Sequence, residues 1–484
     1  STEQDVAGGG YNHWATAGFF GRLNYNYKEK YLLEVNGRYD GTSRFMKDQR
    51  WNFFPSFSLG WNVARENFWK PLESVVNQFK LRGSWGELGN QNTSNLYPFY
   101  EILPVKSNSG NWLVNGGKTN TADIPSLVST LLTWERVRSF NVGFDFGAFS
   151  NRLTGSFDYF VRKTVDMVGP APQLPLVLGI APAIVNNADM KSYGFEIELS
   201  WRDRIGEVDY GVKFNLADAQ QKVVKYPNTT NAFNDWYAGK MSGEIWGYTS
   251  LGIAKTDEEM KEHLASLPNG GQNQLGNKWG AGDIMYADIN GDGKVDGGKG
   301  TLADPGDQRI IGNSTPRYNF GLVLDASYKG FDVSIFFQGV GKRDYAPIVG
   351  TNGAVFWGAV NNIWQSMAME EHFDYFRPEG HPMGANLNGY YPRPDFTSNK
   401  NHQVQTRYLQ DASYIRLKNL QIGYTLPKQW INKLHINRCR VYVSGDNLWT
   451  GTSLASMFDP ETLAAGDWGS GKTYPLSKVI SFGL

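Results

Sequence analysis

The stretch DINGDGKVD, residues 288–296, sets hard oxygen donors at alternate positions: Asp288, Asn290, Asp292, the carbonyl of Lys294, and Asp296. Side chains of this type, with Gly293 at the sharp turn, are what a calcium-binding loop uses to converge on one cation. The acidic residue that should close the ring is missing, because that place is held by Lys299. The segment GGKGTLADPG reads as an insertion, and Asp307 beyond it, or Asp304 within it, is the candidate closing ligand. The expectation is a structural Ca²⁺ that braces a loop; the alternative is an Asx-rich turn without metal. Other chemistry is scarce. The six histidines form no HExxH, and His372 and His381 in EEHFDYFRPEGH lack a helical zinc spacing. No GxSxG elbow is present. Cys439 is the single cysteine, so a disulfide within the chain is excluded. Trp112, Trp236, Trp357 and Trp364 lie in long connections. Tryptophans there can stack on sugar rings or anchor a partner, or they can pack the loops themselves.

The elements that carry these loops are strands. In RYNFGLVLDASYKGFDVSIFFQGV, residues 317–340, the even positions Tyr318, Phe320, Leu322, Leu324, Ala326 and Tyr328 are apolar. The positions between them are mostly polar, so the strand has one greasy and one wet face. Lys329-Gly330 turns the chain, and Phe331, Val333, Ile335 and Phe337 resume the pattern. Such strands have the length that crosses a bilayer when tilted, roughly 9–11 residues. Tyrosines at both ends of the row fit two aromatic girdles. Similar alternation runs through Phe19–Tyr27, Tyr31–Tyr39, Phe53–Val63, Phe79–Trp85, Phe140–Phe146, Leu153–Val161, Phe195–Trp201 and Val208–Leu216. Further strands follow near 411–426, 438–449 and from 477. In the first of these the parity slips between Leu417 and Leu420, so a bulge is expected near Lys418-Asn419.

Composition agrees with a strand-rich membrane chain. Lys and Arg number 47, Asp and Glu 47, so a nucleic-acid partner has no electrostatic basis. Aromatics reach 14% and glycines number 55, which suits membrane strands that show half their residues to water. No apolar run is long enough for a membrane helix.

The connections alternate in length. Those near Glu29, Ser150, Ile205 and Gly330 are short, with modest ones near Pro71 and Lys428. The others are long, notably 87–132, 220–311 and 341–410. A soluble sandwich has no reason to sort its loops this way, whereas an outer-membrane barrel does. The expected fold is therefore all-β, a transmembrane up-and-down antiparallel β-barrel. Carboxylate pairs such as Glu196/Glu198 fall on the polar face and read as lumen lining rather than glycosidase machinery. About thirteen strands are counted by this periodicity. Their first and last members run toward the same side, as an odd number requires, whereas a closed up-and-down barrel with both chain ends on one side needs an even number, so further strands are expected ahead of Ser1.

Four clusters, in this order, resemble the SusC/RagA-type TonB-dependent outer-membrane transporters. The first is GRLNYNYKEKYLLEVNGRYDGTSRF with FFPSFSLGWN and LRGSWGELGNQ; the second is MKSYGFEIELSWRD. The third is GDIMYADINGDGKVD with DQRIIGNSTPRYNFGL; the fourth is YLQDASYIRLKNLQIGYTLP with RVYVSGDNLWT and FDPE. The resemblance implies a plug inside a barrel of roughly 22 strands, the size of plugged transporters. About nine strands and the plug would then precede this chain, which would be a slightly trimmed C-terminal barrel portion. It further implies import of oligosaccharides, sometimes peptides, across the bacterial outer membrane. A SusD-like surface lipoprotein would lid the barrel, and TonB would pull on the absent plug. Wall residues of both signs, Arg22, Glu34, Arg38, Arg82, Asp158, Glu196 and Lys213, disfavour a strongly anionic substrate. The alternative of another class is a calcium-braced cell-surface adhesin or carbohydrate-binding module.

Overall fold

The computed structural model describes residues 11–93, 95–169, 175, 177, 179–180, 182–347, 354–358, 369–395, 400–432, 436–463 and 474–484. Thirteen long strands form one antiparallel sheet in which each pairs with its chain neighbours, in order. They are β1 Thr16–Tyr27, β2 Tyr31–Thr42, β3 Trp51–Asn62, β4 Val76–Asn90, β5 Glu135–Ala148 and β6 Leu153–Val168. Then come β7 Asn186–Ile205, β8 Val208–Lys225, β9 Arg317–Tyr328, β10 Phe331–Lys342, β11 Tyr414–Thr425, β12 Arg440–Thr452 and β13 Val479–Gly483. Among the described residues β1 pairs only with β2 and β13 only with β12, so the sheet has two edges. Among the described residues no helix is long and apolar enough to cross a membrane.

Register makes the apolar rows of separate strands into one band. Leu23 stands opposite Val35, Val35 opposite Phe57, Phe57 opposite Trp85, and Trp85 opposite Phe140. The band continues through Val161, Tyr193 and, one strand pair later, Phe214 with Leu322 and Phe337. It reaches the far edge at Val443 and Phe482. A one-residue slip anywhere would throw apolar residues onto the wet face, so the two-faced pattern itself fixes the pairing. Both ends of the band carry stacked rings. Tyr27, Tyr31 and Trp61 stack at 6.4 and 6.5 Å on the side of the short turns. Phe19 and Tyr39 flank Trp51 at 6.2 and 5.1 Å on the other. Two aromatic rims about an apolar waist are how a barrel meets the two membrane–water boundaries.

The short connections are tight because their residues accept left-handed backbone. Lys329 and Gly330 have φ of 47° and 90° between β9 and β10, the primed turn whose twist matches a hairpin. A Cβ on Gly330 would also lie 2.8 Å from the Thr425 carbonyl oxygen. Short joins also lie at 28–30, 149–152 and 206–207, with 3₁₀ turns in 63–75. The long connections are 91–134, 169–185, 226–316, 343–413 and 453–478, with a lesser one at 43–50. They start later than the periodicity suggested because β4, β8 and β10 run on past the membrane zone; β7 alone has 20 residues. The bulge is present: Phe336 pairs with Asn419 and Phe337 with Leu417, leaving Lys418 unpaired.

The long connections have a core of their own. Tyr286, Trp357, Tyr408, Phe356, Ile284 and Val295 are almost completely buried there. It draws on three connections far apart in sequence, so the loops form a compact cap on one end of the sheet.

Candidate functional site

Residues 288–307 lie in this cap. Asp288 accepts from the N–H groups of Gly291 and Gly293 at 2.6 and 2.8 Å. Asn290 and Asp292 accept from the N–H groups of Asp292 and Lys294 at 3.0 and 3.2 Å. Asp307, fully buried, spends both oxygens on backbone N–H groups, those of Ile289 at 2.7 Å and Asp296 at 2.8 Å. Burial pushes its carboxyl up from the ordinary value, against those hydrogen bonds. The Lys294 ammonium is hydrogen-bonded to Asp296 and lies 3.8 Å from Asp292. Burial alone would raise Asp296, but that ammonium and the Gly298 N–H outweigh it and hold the carboxyl below its ordinary range. Among the described residues no three His, Cys, Asp or Glu side chains are grouped to hold a metal ion. As placed, then, Asp288, Asn290, Asp292, Lys294, Asp296 and Asp307 share one loop but do not fit a calcium ion. An ion would have to take Asp307 from the backbone and displace the lysine. Sequence spacing could not reveal this, because it shows which oxygens are near and not which N–H groups already hold them.

The tryptophans divide. Trp112 is 61% exposed at the base of a small hairpin at 113–118. Trp236 is half-buried, edge-on to Tyr226 at 6.0 Å. Trp357 is 2% exposed and packs on Phe356, Tyr408 and His402, so it is a core ring with no face left for a substrate. Trp364 lies outside the described residues. Beneath this core sits a buried ion pair that the sequence did not suggest. Asp283 accepts from Lys400 at 2.9 Å and from Arg393 at 2.8 Å, and Asn401 fills its other oxygen at 2.9 Å. The partners are over a hundred residues apart, which hides the constellation from any local pattern. At the rim, Arg416 is held by Asp459 and Glu461, and Glu461 also takes Lys418, the bulged residue.

The wet face of the sheet is charged but largely self-neutralised. Arg82 makes two hydrogen bonds each to Asp145 and Asp158, at 2.9–3.0 Å. Further along β4 and β5, in register with the row of Trp85 and Phe140, Glu87 takes both Arg136 and Arg138. Arg22 reaches Asn36 at 2.7 Å with Glu34 at 3.9 Å, and Arg38 pairs with Asp40 at 3.0 Å. Glu196 stands opposite Asp158 in the register. This wall offers a solute charges of both signs, many of them already paired, and no single-sign field.

One further hollow escaped the sequence reading. The connection 91–134 contains the run LYPFYEILPV at 96–105. With Tyr11, Leu127 and Ile184 it encloses a cavity of about 880 Å³. The aromatic and proline density of that run was the available signal.

The comparisons agree with this geometry. The family profile described as TonB dependent receptor-like, beta-barrel matches residues 5–448. TonB-dependent receptor P3 of Formosa agariphila is 30% identical over 495 aligned positions, covering 96% of this chain and 45% of that protein. TonB-dependent receptor SusC of Bacteroides thetaiotaomicron is 24% identical over 482, covering 96% and 43%. The chain thus spans less than half the length of these curated relatives. The solved structure of the RagAB peptide transporter superposes with a TM-score of 0.72 at 23% identity, over 96% of this chain and 47% of that one, and shares the fold.

Proposed function

The chain belongs to the TonB-dependent receptor-like β-barrel family, and from that premise we propose that it supplies part of the wall and outer mouth of an importer of oligosaccharides or oligopeptides. The observation that carries this is the continuous apolar band with an aromatic rim at each end, set against a polar, self-neutralised face. Such a sheet places lipid on one side and a water-filled passage on the other. The family is one of outer-membrane transporters rather than enzymes. Likeness to a receptor named SusC and to a complex titled a peptide transporter supports the cargo classes. Because the chain spans under half of its relatives, the activity belongs to the whole protein. There a SusD-like lipoprotein would cover the mouth, and TonB would drive passage through segments other than these. A soluble adhesin has no use for the apolar band, and nothing observed favours one.

The test is uptake by cells carrying the full-length gene. Labelled oligosaccharides and oligopeptides should enter only with this gene and a functional TonB system. Uptake that persists without TonB would overturn energised import.

A further inference from the structure

The cavity of about 880 Å³ lies in the extracellular cap, within the size range of small-ligand pockets, roughly 300–1,000 Å³. Its wall is built, not accidental. Tyr97 donates its hydroxyl to the His13 carbonyl at 2.9 Å and lies 3.2 Å from the Ser43 hydroxyl, tying the loop to the start of β1 and the end of β2. Ile184 lines the cavity and also packs on the buried cluster of Phe45, Phe54, Leu132 and Trp134. Phe54 stands opposite Arg38, on the wet row of the sheet, so the cavity adjoins the top of the inner wall.

Its chemistry is selective. Among the described residues, no Asp, Glu, Lys or Arg lines it. Ile102 is 69% exposed and Tyr100 63%, a state that costs apolar surface to water and is rarely left uncovered in function. Leu127, 44% exposed, extends the same surface. Its polar groups are uncharged: the hydroxyls of Tyr11 and Tyr100, that of Tyr97 already tied to His13 and Ser43, the exposed side chains of Asn12 and Asn95, and those of His13 and Ser126. An amide side chain offers a donor and an acceptor together, the pair that a peptide unit answers. A sugar has a hydroxyl on nearly every carbon, and against aliphatic and proline walls most of them would lose their water without a partner. A charged ligand would fare worse.

We propose that this cavity captures an uncharged, apolar stretch of an oligopeptide cargo before it enters the barrel. The inference rests on the import reading and narrows it to peptide.

The test uses the full-length protein in detergent and three probes. One is a blocked octapeptide of Leu, Phe, Pro and Gly; the second carries Asp and Lys at two of the Leu positions; the third is a neutral glucose heptasaccharide. The neutral peptide should bind, with the charged peptide at least ~10-fold weaker, as expected for a charge moved against apolar walls. Ile102→Asp should weaken the neutral peptide by a similar factor, and Leu127→Asp should do the same. Both side chains are exposed, so neither variant threatens folding. Heptasaccharide binding in place of the peptide, or unchanged peptide affinity in both variants, would overturn the proposal. Peptide bound through Ile102 but never taken up with TonB would leave the site standing and sink the import reading. TonB-driven uptake indifferent to both variants would do the reverse.

Discussion

Leu322 and Val323 are chain neighbours that face different solvents. Leu322 sits in the apolar band between Phe214 and Phe337, while Val323 shares the wet row with Lys213. Leu322→Arg should therefore cost ~2–4 kcal/mol at the bilayer midplane and Val323→Arg much less. Unfolding in lipid vesicles measures both, and a lipid-soluble quencher that reaches a spin label at 323 better than one at 322 would reverse the assignment. In the cap, His402 is buried against Trp357, and burial pushes its imidazole down to about 4. The unfolded chain takes up this proton near pH 6.5, so between those values it binds more protons than the folded cap. Stability is then fully present above pH 6.5 and is lost as pH falls toward 4, by on the order of 3 kcal/mol. His402→Phe should flatten that slope in a thermal melt of the cap. Asp307 has its own consequence: since backbone N–H groups hold both of its oxygens, a calcium chelator should leave the cap's melting unchanged. Asp307→Ala should lower it, by ~1–3 kcal/mol for each buried donor left unpaired. A large chelator effect on the wild type would restore the ion to the loop.

Sidedness belongs to the elements. Turns at 28–30, 149–152, 206–207 and 329–330 lie at one end of the sheet, and the connections 91–134, 226–316 and 343–413 at the other. In intact cells, protease should cut near Asn231 or Asn388 and spare Gly330; cleavage at Gly330 without permeabilisation would invert the topology. Strands were the legible part of this chain because a period of two survives wherever one face meets lipid. Even the bulge at Lys418 was visible, as a broken parity between Leu417 and Leu420. The cap was not legible. Its core joins Tyr286, Trp357 and Tyr408 across intervals with no period, and its ion pair joins Asp283 to Lys400. Contacts that depend on how loops fold back leave no local trace, so Trp357 could not be told apart from a binding ring and the cavity near Tyr100 went unseen.

The whole sheet is open. β1 and β13 each present an unpaired row of backbone groups, and every such group left unsatisfied in lipid costs several kcal/mol. Residues 1–484 expressed alone should therefore aggregate or be degraded; a monodisperse, heat-modifiable monomer would refute the open-edged sheet. The strict neighbour pairing also bears on how the protein is made. Within the described sheet, β2 to β13 each dock on the strand just before them in the chain. Assembly can advance as a zipper, hairpin by hairpin, with the tight turns closing first. The long extracellular connections hardly slow it, because doubling a loop adds only ~0.6 kcal/mol of closure entropy. Nature can thus rewrite the cap at small kinetic cost while the zipper beneath it stays the same.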